Sequence, residues 1–346
     1  MPAGAFARRV QRWQREHGRH DLPWQGTRDP YRVWLSEVML QQTQVATVLG
    51  YYARFLERFP DVQALAAAPL DEVLAAWSGL GYYSRARHLH RCAIAVVGAH
   101  GGRFPGTSAA LETLPGIGRS TAAAIAVFCF GERAAILDGN VERVLTRATG
   151  FEADLAQAAG RRALWQAAVE RLPARDVEAY TQGLMDLGSA VCLVRRPLCE
   201  ACPLRTDCVA HAQGRPEAYP VKTRKLRRGR RSNAWLWLEQ GGRIWLSRRP
   251  ESGVWAGLWS LPEFESVPAL EAAAGAWPGH GSWLPPLEHA LTHFDWTLQP
   301  LRWRLPPRAR SAAVTQGLPE GRWFEPGAAL QMGLPAPLRR LLDAHP

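Results

Sequence analysis

Four cysteines within seventeen residues have the spacing of a metal site, C-x6-C-x2-C-x5-C: Cys192, Cys199, Cys202 and Cys208. Four thiolates without a histidine at ligand spacing fit either a tetrahedral zinc ion or a [4Fe–4S] cluster. Zinc ribbons usually contain two C-x2-C pairs, and this run contains one, so the spacing favours the cluster. We expect a structural site, because nothing nearby indicates a redox partner. Cys92 and Cys129 lie in apolar helical patterns and are predicted to be buried.

A carboxylate among glutamines marks a second candidate site. Glu37, Gln41 and Gln44 fall at positions i, i+4 and i+7 of a helical pattern that runs from Pro30 to Tyr52. They form a stripe on one side of the predicted helix, and a solvated stripe usually mixes lysine with glutamate. Glu37 is therefore a candidate acid or base. An ordinary exposed glutamate is the alternative that this pattern leaves open.

A glycine hairpin at Leu114–Thr121 (LPGIGRST) ends one helical pattern and begins another. Gly116 and Gly118 allow backbone conformations that a side chain would block. The hairpin therefore turns N–H groups outward at a helix N-terminus, which makes a site for a phosphate. Asp138 follows about twenty residues later, before the next helix, where aspartate is often only an N-cap. A phosphate site with a carboxylate nearby indicates chemistry on a nucleic-acid backbone or its sugar.

The composition of the chain is consistent with a polyanionic partner. Its 346 residues are enough for two domains, and 42 basic against 31 acidic residues give a net charge of +11. Clustered positive charge is typical of nucleic-acid binding, and genomic GC bias is the alternative explanation. Residues 1–20 are charged throughout and lack the apolar segment of a signal peptide. No apolar run approaches the length of a membrane span, so we predict a soluble, intracellular protein.

The order of predicted elements divides the chain into two folded parts. Residues 1–213 have helical patterns throughout, whereas 214–231 are strongly basic, which predicts a linker because such a segment cannot build a core. The patterns in residues 232–346 predict an α+β domain. Its strands are expected in runs of aromatic and branched residues bounded by Gly or Pro: Ala234–Leu238, Arg243–Ser247 and Trp296–Leu305.

Several motifs together resemble a known family. Leu114–Gly118, Asp138 and the cysteine spacing resemble the helix-hairpin-helix DNA glycosylases of the endonuclease III superfamily. Within it, SEVMLQQTQV (36–45) and GLGYYSRAR (79–87) resemble the adenine DNA glycosylase family, and WAGLWSLP (255–262) is similar to the Nudix-like domain of that family. The resemblance implies a mainly α helix-hairpin-helix glycosylase domain with a [4Fe–4S] cluster loop (1–213), a basic linker (214–231) and an α+β Nudix-like domain (232–346).

The resemblance implies acid catalysis at the base and charge stabilisation at the sugar. Cleavage of the N-glycosidic bond of adenine passes through an oxocarbenium-like sugar, so an acid acts on the base and a carboxylate on the sugar. By resemblance, Glu37 protonates adenine N7, Asp138 stabilises the cation, and Asn140 helps to orient Asp138 or a water. Glu37 then needs partial burial to raise its pKa, and its neighbours Trp34 and Val38 favour that.

The resemblance also implies that adenine is flipped out of the duplex. It assigns the flipped base and the surrounding DNA to seven residues: Leu22, Trp24 and Gln182 around the base, Gln41 and Tyr82 beside the opposite base, and Gly116 and Gly118 at a phosphate. Family members often have Lys or Arg where this chain has Glu142. We expect Glu142 to weaken the local attraction of phosphate.

Adenine is an undamaged base, so the opposite base, 8-oxoguanine, must be recognised as well. The family carries a His-x-Phe-Ser-His loop in its second domain, and this chain has His289-Ala-Leu-Thr-His293. The resemblance implies DNA contacts from Leu291, Thr292 and His293. Thr292 keeps the hydroxyl of serine, whereas Leu291 lacks the aromatic ring. The partner implied is double-stranded DNA with an A:8-oxoguanine or A:G mispair, bound by a monomeric, cytoplasmic bacterial enzyme that associates with the nucleoid.

Ser120 separates the main interpretation from its first alternative. Bifunctional members of the superfamily carry a lysine there, which attacks the sugar as an amine. A serine cannot form a Schiff base, so the chain is expected to be a monofunctional glycosylase. Some family members have a tyrosine there that supports the catalytic acid, so by resemblance either Ser120 gives weaker support or a water takes over that role. The alternatives are a glycosylase with lyase activity on oxidised pyrimidines and a non-catalytic iron–sulfur DNA-binding regulator. Nudix hydrolysis is rejected, because residues 263–276 lack the Arg-Glu-x-x-Glu-Glu run.

Overall fold

The structure, a computed structural model, describes residues 2–223 and 228–345. These residues form two compact units. Residues 2–52, 59–66 and 91–223 form the first, here called the helical unit. Residues 53–58, 67–90 and 228–345 form the second, the sheet unit, which combines short helical segments with the C-terminal part. Residues 224–227, in the middle of the predicted linker, lie outside the described residues.

Helices account for the regular structure up to residue 223, apart from four single turns of 3₁₀- or π-helix between residues 187 and 218. They are α1 (Ala3–His17), α2 (Pro30–Leu40), α3 (Val45–Arg58), α4 (Val62–Ala67), α5 (Leu70–Ala76), α6 (Ser84–His100), α7 (Ser108–Leu111), α8 (Arg119–Phe130), α9 (Gly139–Thr149), α10 (Ala158–Glu170), α11 (Val177–Asp186) and α12 (Val209–Ala212). The prediction of a mainly helical N-terminal part is confirmed.

The predicted continuous helix from Pro30 to Tyr52 is wrong. Helix α2 ends at Leu40 and α3 begins at Val45. Between them Gln42 has φ 58°, a left-handed conformation that an α-helix cannot contain. The break rotates α3 relative to the pattern, so Leu49, which a continuous helix would place on its apolar face, is 39% exposed. Glu37 therefore lies on a helix, whereas Gln41 and Gln44 lie in the turn that follows it.

One apolar core holds the helical unit together. Helix α1 turns one face inward, because Phe6, Val10 and Trp13 are all buried in this core. Helix α1 packs against α11 so closely that a side chain at Gly183 would meet Val10 at 2.8 Å. The same core contains Leu137 and Val141, which flank Asp138 in sequence. Packing on both sides thus fixes the backbone that carries this carboxylate.

The sheet unit is built on an eight-stranded mixed sheet within residues 228–345. The strands are β1 (Gly229–Gln240), β2 (Arg243–Arg248), β3 (Trp259–Ser260), β4 (Glu263–Phe264), β5 (His280–Trp283), β6 (Leu287–Ala290), β7 (Phe294–Arg304) and β8 (Gly321–Phe324). Strands β1 and β7 are parallel over eleven residue pairs, and β6 and β7 form an antiparallel hairpin. The three predicted strands lie at β1, β2 and β7, and β1 begins inside the range predicted as linker.

Aromatic side chains and short helices cover this sheet. Trp235, Trp237 and Trp296 are among the largest fully buried side chains of the protein. The helices are α13 (Val267–Ala274), α14 (Ala312–Thr315), α15 (Pro326–Leu330) and α16 (Ala336–Asp343). The predicted α+β character of this part is confirmed. In the part of the chain that the structure describes, we find no helix with the length and apolarity that a membrane crossing requires.

Candidate active site

Glu37 lies near the end of α2, on a stretch of helix that is otherwise inaccessible to water. Its neighbours Leu35, Ser36 and Val38 are at most 5% exposed, and Glu37 itself is half-buried. Burial, together with the smaller effect of the negative charge of Asp138, raises the pKa of Glu37 from 4.5 to about 8. Glu37 is therefore protonated at neutral pH, which is the state that a general acid requires.

Asp138 occupies the position immediately before α9. Its Oδ1 accepts a hydrogen bond of 2.7 Å from the Val141 amide, so it is the N-cap of the helix. Burial raises the pKa of Asp138, while hydrogen bonds from the Val141 and Asn140 amides and the charge of Arg143 oppose that shift. The capping role and a chemical role are compatible, because a carboxylate has a second oxygen.

Arg143 connects the turn that carries Asp138 with the cysteine loop. Its Nη2 donates to Asn140 Oδ1 at 2.8 Å, and its Nε donates to the carbonyl of Cys192 at 2.6 Å. It also donates to the carbonyl of Gly188. Sequence analysis assigned no role to Arg143. The sequence signal that could have identified Arg143 was its position on α9, about one helical turn after Asp138.

Ser120 lies in the first turn of α8 and contacts the backbone that leads to Asp138. Its hydroxyl accepts a hydrogen bond of 3.1 Å from the Leu137 amide. We expected Ser120 to support the catalytic acid. The structure instead places its hydroxyl on the residue before Asp138, where it fixes that segment.

The glycine hairpin leaves its backbone open to solvent. Gly116 has φ 78°, and Gly118 caps the N-terminus of α8; both are exposed. A side chain at Gly118 would meet no atom within 4 Å, so the surface above it is clear. Leu114 and Ile117 are buried and anchor the turn from below. The first N–H groups of α8 thus face outward, as phosphate binding requires.

The three predicted base-pocket residues all lie in the helical unit. Trp24 is 9% exposed and packs edge-on against Tyr52, with the ring centres 5.3 Å apart. The Gln182 amide donates to the buried carboxylate of Asp186 at 2.9 Å, which fixes its orientation. Leu22 is half-buried in the irregular segment before α2.

The predicted contact residue Gln41 faces α8. Its amide donates to Thr121 Oγ1 at 3.5 Å. The next residue, Gln42, is exposed and has the left-handed backbone described above. Strained, exposed residues cluster at functional sites, so Gln42 joins the candidate residues. The sequence offers no signal to separate two adjacent glutamines.

The other predicted DNA contacts lie in the sheet unit. Tyr82 is 44% exposed and has φ 49°. Leu291, Thr292 and His293 form the tip of the β6–β7 hairpin, which the Leu291 amide closes with a 2.9 Å hydrogen bond to the Phe294 carbonyl. Thr292 and His293 are exposed, whereas Leu291 is half-buried.

The expectation for Glu142 is wrong. Its side chain is 7% exposed and forms ion pairs with Arg161 at 3.1 Å and Lys222 at 3.0 Å. A buried, doubly paired carboxylate does not project towards a phosphate. Glu142 instead ties α9 to α10 and to the segment that follows the cysteine loop.

The four cysteines line one cavity, together with Arg147 and several apolar side chains. Arg147 Nη1 lies 3.4 Å from Cys192 Sγ, and the Arg147 carbonyl lies 3.4 Å from Cys208 Sγ. Burial raises the pKa of Cys202 to about 12, and the neighbouring thiolates add to that shift. Among the described residues, no group of three or more His, Cys, Asp or Glu side chains converges as a bound metal ion would require.

Two protein families match the chain in agreement with this geometry. Residues 35–168 match the HhH-GPD superfamily of base excision DNA repair proteins, and residues 233–344 match the NUDIX domain. The structure of a thermostable thymine-DNA glycosylase covers 61% of this chain and 97% of its own, with TM-score 0.55 and 28% identity. An endonuclease III–DNA complex matches with TM-score 0.52 over 62% and 98%, and at 22% identity it supports the fold alone. Fold and site define a helix-hairpin-helix base excision repair protein.

Curated relatives narrow this class. The adenine DNA glycosylase of Buchnera aphidicola subsp. Acyrthosiphon pisum (strain APS) is 31% identical over 98% of this chain and 97% of its own. The Homo sapiens adenine DNA glycosylase is 35% identical over 85% of this chain and 66% of its own. The chain belongs to the adenine DNA glycosylase family, which makes it a DNA N-glycosylase of base excision repair. The resemblance inferred from the motifs is confirmed.

Proposed function

We propose that this protein removes adenine mispaired with 8-oxoguanine or guanine in duplex DNA, and that it does so without cutting the strand. The observation that carries this proposal is the pair of carboxyl groups in the helical unit. Glu37 is protonated at neutral pH because burial and the Asp138 charge raise its pKa to about 8. The names of the relatives support adenine as the base that is removed.

The chemistry divides between the two carboxyl groups. Glu37 donates its proton to N7 of the extruded adenine, which makes the base a better leaving group. The bond between the sugar C1′ and N9 then breaks, and its electron pair leaves with the base. Asp138 stabilises the positive charge that develops on the sugar, and water adds at C1′ to complete the hydrolysis. Asn140 and Arg143 position Asp138 by fixing the turn before α9.

The surrounding residues bind the DNA. Leu22, Trp24 and Gln182 contact the flipped adenine, and the orientation of the Gln182 amide is set by Asp186. The exposed N–H groups at Gly116 and Gly118 bind a phosphate beside the lesion. Gln42, rather than its inward-facing neighbour Gln41, enters the space beside the opposite base.

Ser120 and the cysteines complete the assignment. Ser120 positions the Leu137–Asp138 backbone and offers no amine, which favours base release over lyase chemistry.

Cys192, Cys199, Cys202 and Cys208 hold a [4Fe–4S] cluster with a structural role. In support of this, the four thiols line one cavity, and their spacing contains a single C-x2-C pair. When bound, the cluster supplies covalent cross-links that order this loop.

The division of labour along the chain follows the sequence prediction. Residues 1–213 carry out the chemistry, 214–231 link the domains and 232–346 recognise 8-oxoguanine through Leu291, Thr292 and His293. We further propose that the protein works as a monomer on DNA in the cytoplasm. It differs from a regulator of the same fold because a regulator would have no use for Glu37 beside Asp138.

A labelled duplex with one A:8-oxoguanine pair tests the proposal. Incubation followed by alkali should cut the adenine strand, whereas incubation without alkali should leave it intact. Strand breakage without alkali, with a complex trapped by borohydride, would establish lyase chemistry instead. Absence of breakage in both arms, with the duplex still bound, would favour the regulator. Iron and sulfide analysis of the purified protein separates the cluster from zinc.

A further inference from the structure

Asp186 is a carboxylate that is buried at an unfavourable position. It is the last residue of α11 and only 1% exposed, and a negative charge at a helix C-terminus meets the negative end of the helix dipole. Burial adds a second cost, because the carboxylate loses its hydration. A well-packed apolar side chain would avoid both costs. A carboxylate at this position therefore calls for a reason other than stability.

Three hydrogen bonds and one ion pair hold the Asp186 carboxylate, and each partner is an N–H group. Arg19 Nε and Nη2 lie 2.7 Å and 2.5 Å from Oδ1, and the Arg19 amide donates to Oδ2 at 3.0 Å. Gln182 Nε2 also donates to Oδ1, at 2.9 Å. Gly18 leaves room for this approach, because a side chain there would lie 3.1 Å from Asp186 Oδ2. The carboxylate thus acts as an acceptor towards both side chains.

The orientation of the Gln182 amide follows from this arrangement. An accepting carboxylate can bond only the NH₂ end of an amide, because the carbonyl end has no proton to donate. The two ends of a planar amide point apart, so Oε1 of Gln182 is directed away from Asp186. Gln182 itself is half-buried rather than enclosed, which leaves it accessible to a base. The side chain therefore presents its acceptor on the side opposite Asp186.

Arg19 connects the same carboxylate with the other predicted pocket residues. It follows the end of α1 and begins the irregular segment that carries Leu22 and Trp24. Its backbone amide and its guanidinium both bind Asp186, so the start of this segment is fixed at two points. One buried carboxylate thus holds the segment predicted to pack on the flipped base and the amide predicted to reach the edge of that base.

We infer that Asp186, held by Arg19, is a positioning residue that makes Gln182 an acceptor towards the flipped base, and that this acceptor selects purines with an amino group at C6 over purines with an oxygen there. The inference rests on the proposed function. The 6-amino group of adenine donates to Gln182 Oε1, whereas the 6-oxygen of hypoxanthine brings two acceptors together with no proton between them. Both bases have N7, so Glu37 can protonate either one. The selection is made at C6.

Two duplexes that differ only at C6 of one purine test the inference. Adenine or hypoxanthine is placed opposite 8-oxoguanine, and base release is measured in single turnover. Asp186→Asn keeps the shape of the side chain but adds a donor, so the Gln182 amide can reverse. We expect the ratio of adenine release to hypoxanthine release to fall about tenfold. The matched control is Asp176→Asn, just before α11, which removes an exposed ion pair with Arg15 and should leave the ratio unchanged.

A second substitution should restore the selection. Gln182→Glu places an acceptor oxygen at both ends of the side chain, and the asparagine introduced by Asp186→Asn can donate to one of them. The double variant should therefore recover most of the preference for adenine, which a merely structural role of Asp186 does not predict. An unchanged ratio in Asp186→Asn, or no recovery in the double variant, would overturn the inference.

Folding is checked by thermal denaturation. If Asp186→Asn does not fold, Arg19→Lys replaces it as the test variant. Lysine keeps the positive charge but loses the planar fork that binds the carboxylate, so the ratio should fall about threefold. An unchanged ratio in Arg19→Lys would then overturn the inference.

A binding measurement separates this inference from the proposed function. Duplexes with 2′-fluoro-2′-deoxyadenosine or 2′-fluoro-2′-deoxyinosine opposite 8-oxoguanine report the selection without base release, because fluorine at C2′ destabilises the cationic sugar. Asp186→Asn should lower the ratio of the two affinities, and an unchanged ratio would again count against Asp186. If the wild type releases no adenine, the proposed function fails, and the affinities alone decide whether Asp186 sets the selection.

Discussion

The carboxyl pair of the helical unit and the hairpin tip of the sheet unit have opposite physical requirements, burial for the first and exposure for the second. Glu37 needs exclusion from water, since only burial and a nearby charge raise the pKa of a carboxyl group to about 8. Thr292 is exposed, as the proposed contact with a base that arrives from outside requires. Around Glu37 and Asp138 the neighbouring residues are packed or hydrogen-bonded, whereas Thr292 and His293 at the hairpin tip are exposed.

This difference accounts for the two departures from the family pattern at the hairpin tip. A change beside Glu37 alters packing, charge and proton affinity together, so few alternatives keep the chemistry. At the hairpin tip, Leu291 and Thr292 replace the family residues without disturbing the aromatic stack below them. Exposed recognition elements tolerate such replacement because few side chains of the protein pack against them.

The largest expected effect comes from Glu37→Gln. Glutamine keeps the shape of the side chain but cannot supply a proton, so adenine release in single turnover should fall about 10³-fold to 10⁴-fold, with DNA binding retained. Glu112→Gln, an exposed glutamate at the end of α7, is the matched control and should behave as wild type. A loss of less than tenfold in Glu37→Gln would show that Glu37 is not the acid. The contrast between a buried catalytic pair and an exposed hairpin tip would then no longer hold.

The pH dependence gives the next effect. Because the pKa of Glu37 is raised to about 8, the acid form dominates below that pH and disappears above it. The single-turnover rate should therefore fall about tenfold per pH unit above pH 8. The rate opposite guanine should fall in parallel, since the acid acts on the adenine in both duplexes. A rate that stays level from pH 7 to 10 would contradict a proton supplied by Glu37.

Sequence reasoning found the elements and the chemistry but not the connections between them. The helix pattern and the strands β1, β2 and β7 follow from residue type and spacing, whereas the acid role of Glu37 came from the resemblance to the family. Periodicity could not show that α2 ends at Leu40, because apolar spacing continues across the turn and the strained backbone of Gln42 leaves no mark on it.

Charge placement was the least predictable feature. In the sequence, Glu142 follows Asn140 and Val141 and has the position of a surface residue that faces DNA. Its burial depends on Lys222, eighty residues away, which no local pattern connects with it. The hydrogen bond between Tyr82 and Thr292 was hidden for the same reason, because it joins two segments that lie far apart in the chain.

Glu142→Gln should separate stability from chemistry. It removes the charge that pairs with Arg161 and Lys222, and we expect the free energy of unfolding to fall by about 1 to 3 kcal/mol, because the carboxylate is buried while its partners are half-exposed. Thermal denaturation measures the loss. Glu152→Gln, which removes an exposed pair with Arg215, is the control and should cost less than about 1 kcal/mol. If Glu142→Gln kept the wild-type melting temperature and bound DNA more strongly, Glu142 would weaken the attraction of phosphate, as the sequence first indicated.

The smallest effect should come from Leu291→Ala, at the tip of the hairpin. Leu291 closes the turn through its backbone amide, which alanine retains, and its side chain has no aromatic ring to stack on a base. The ratio of adenine release opposite 8-oxoguanine to release opposite guanine should therefore change by about twofold or less. Thr292→Val, one residue away, should lower the ratio more. A drop of tenfold or more in Leu291→Ala would place the leucine side chain in the duplex.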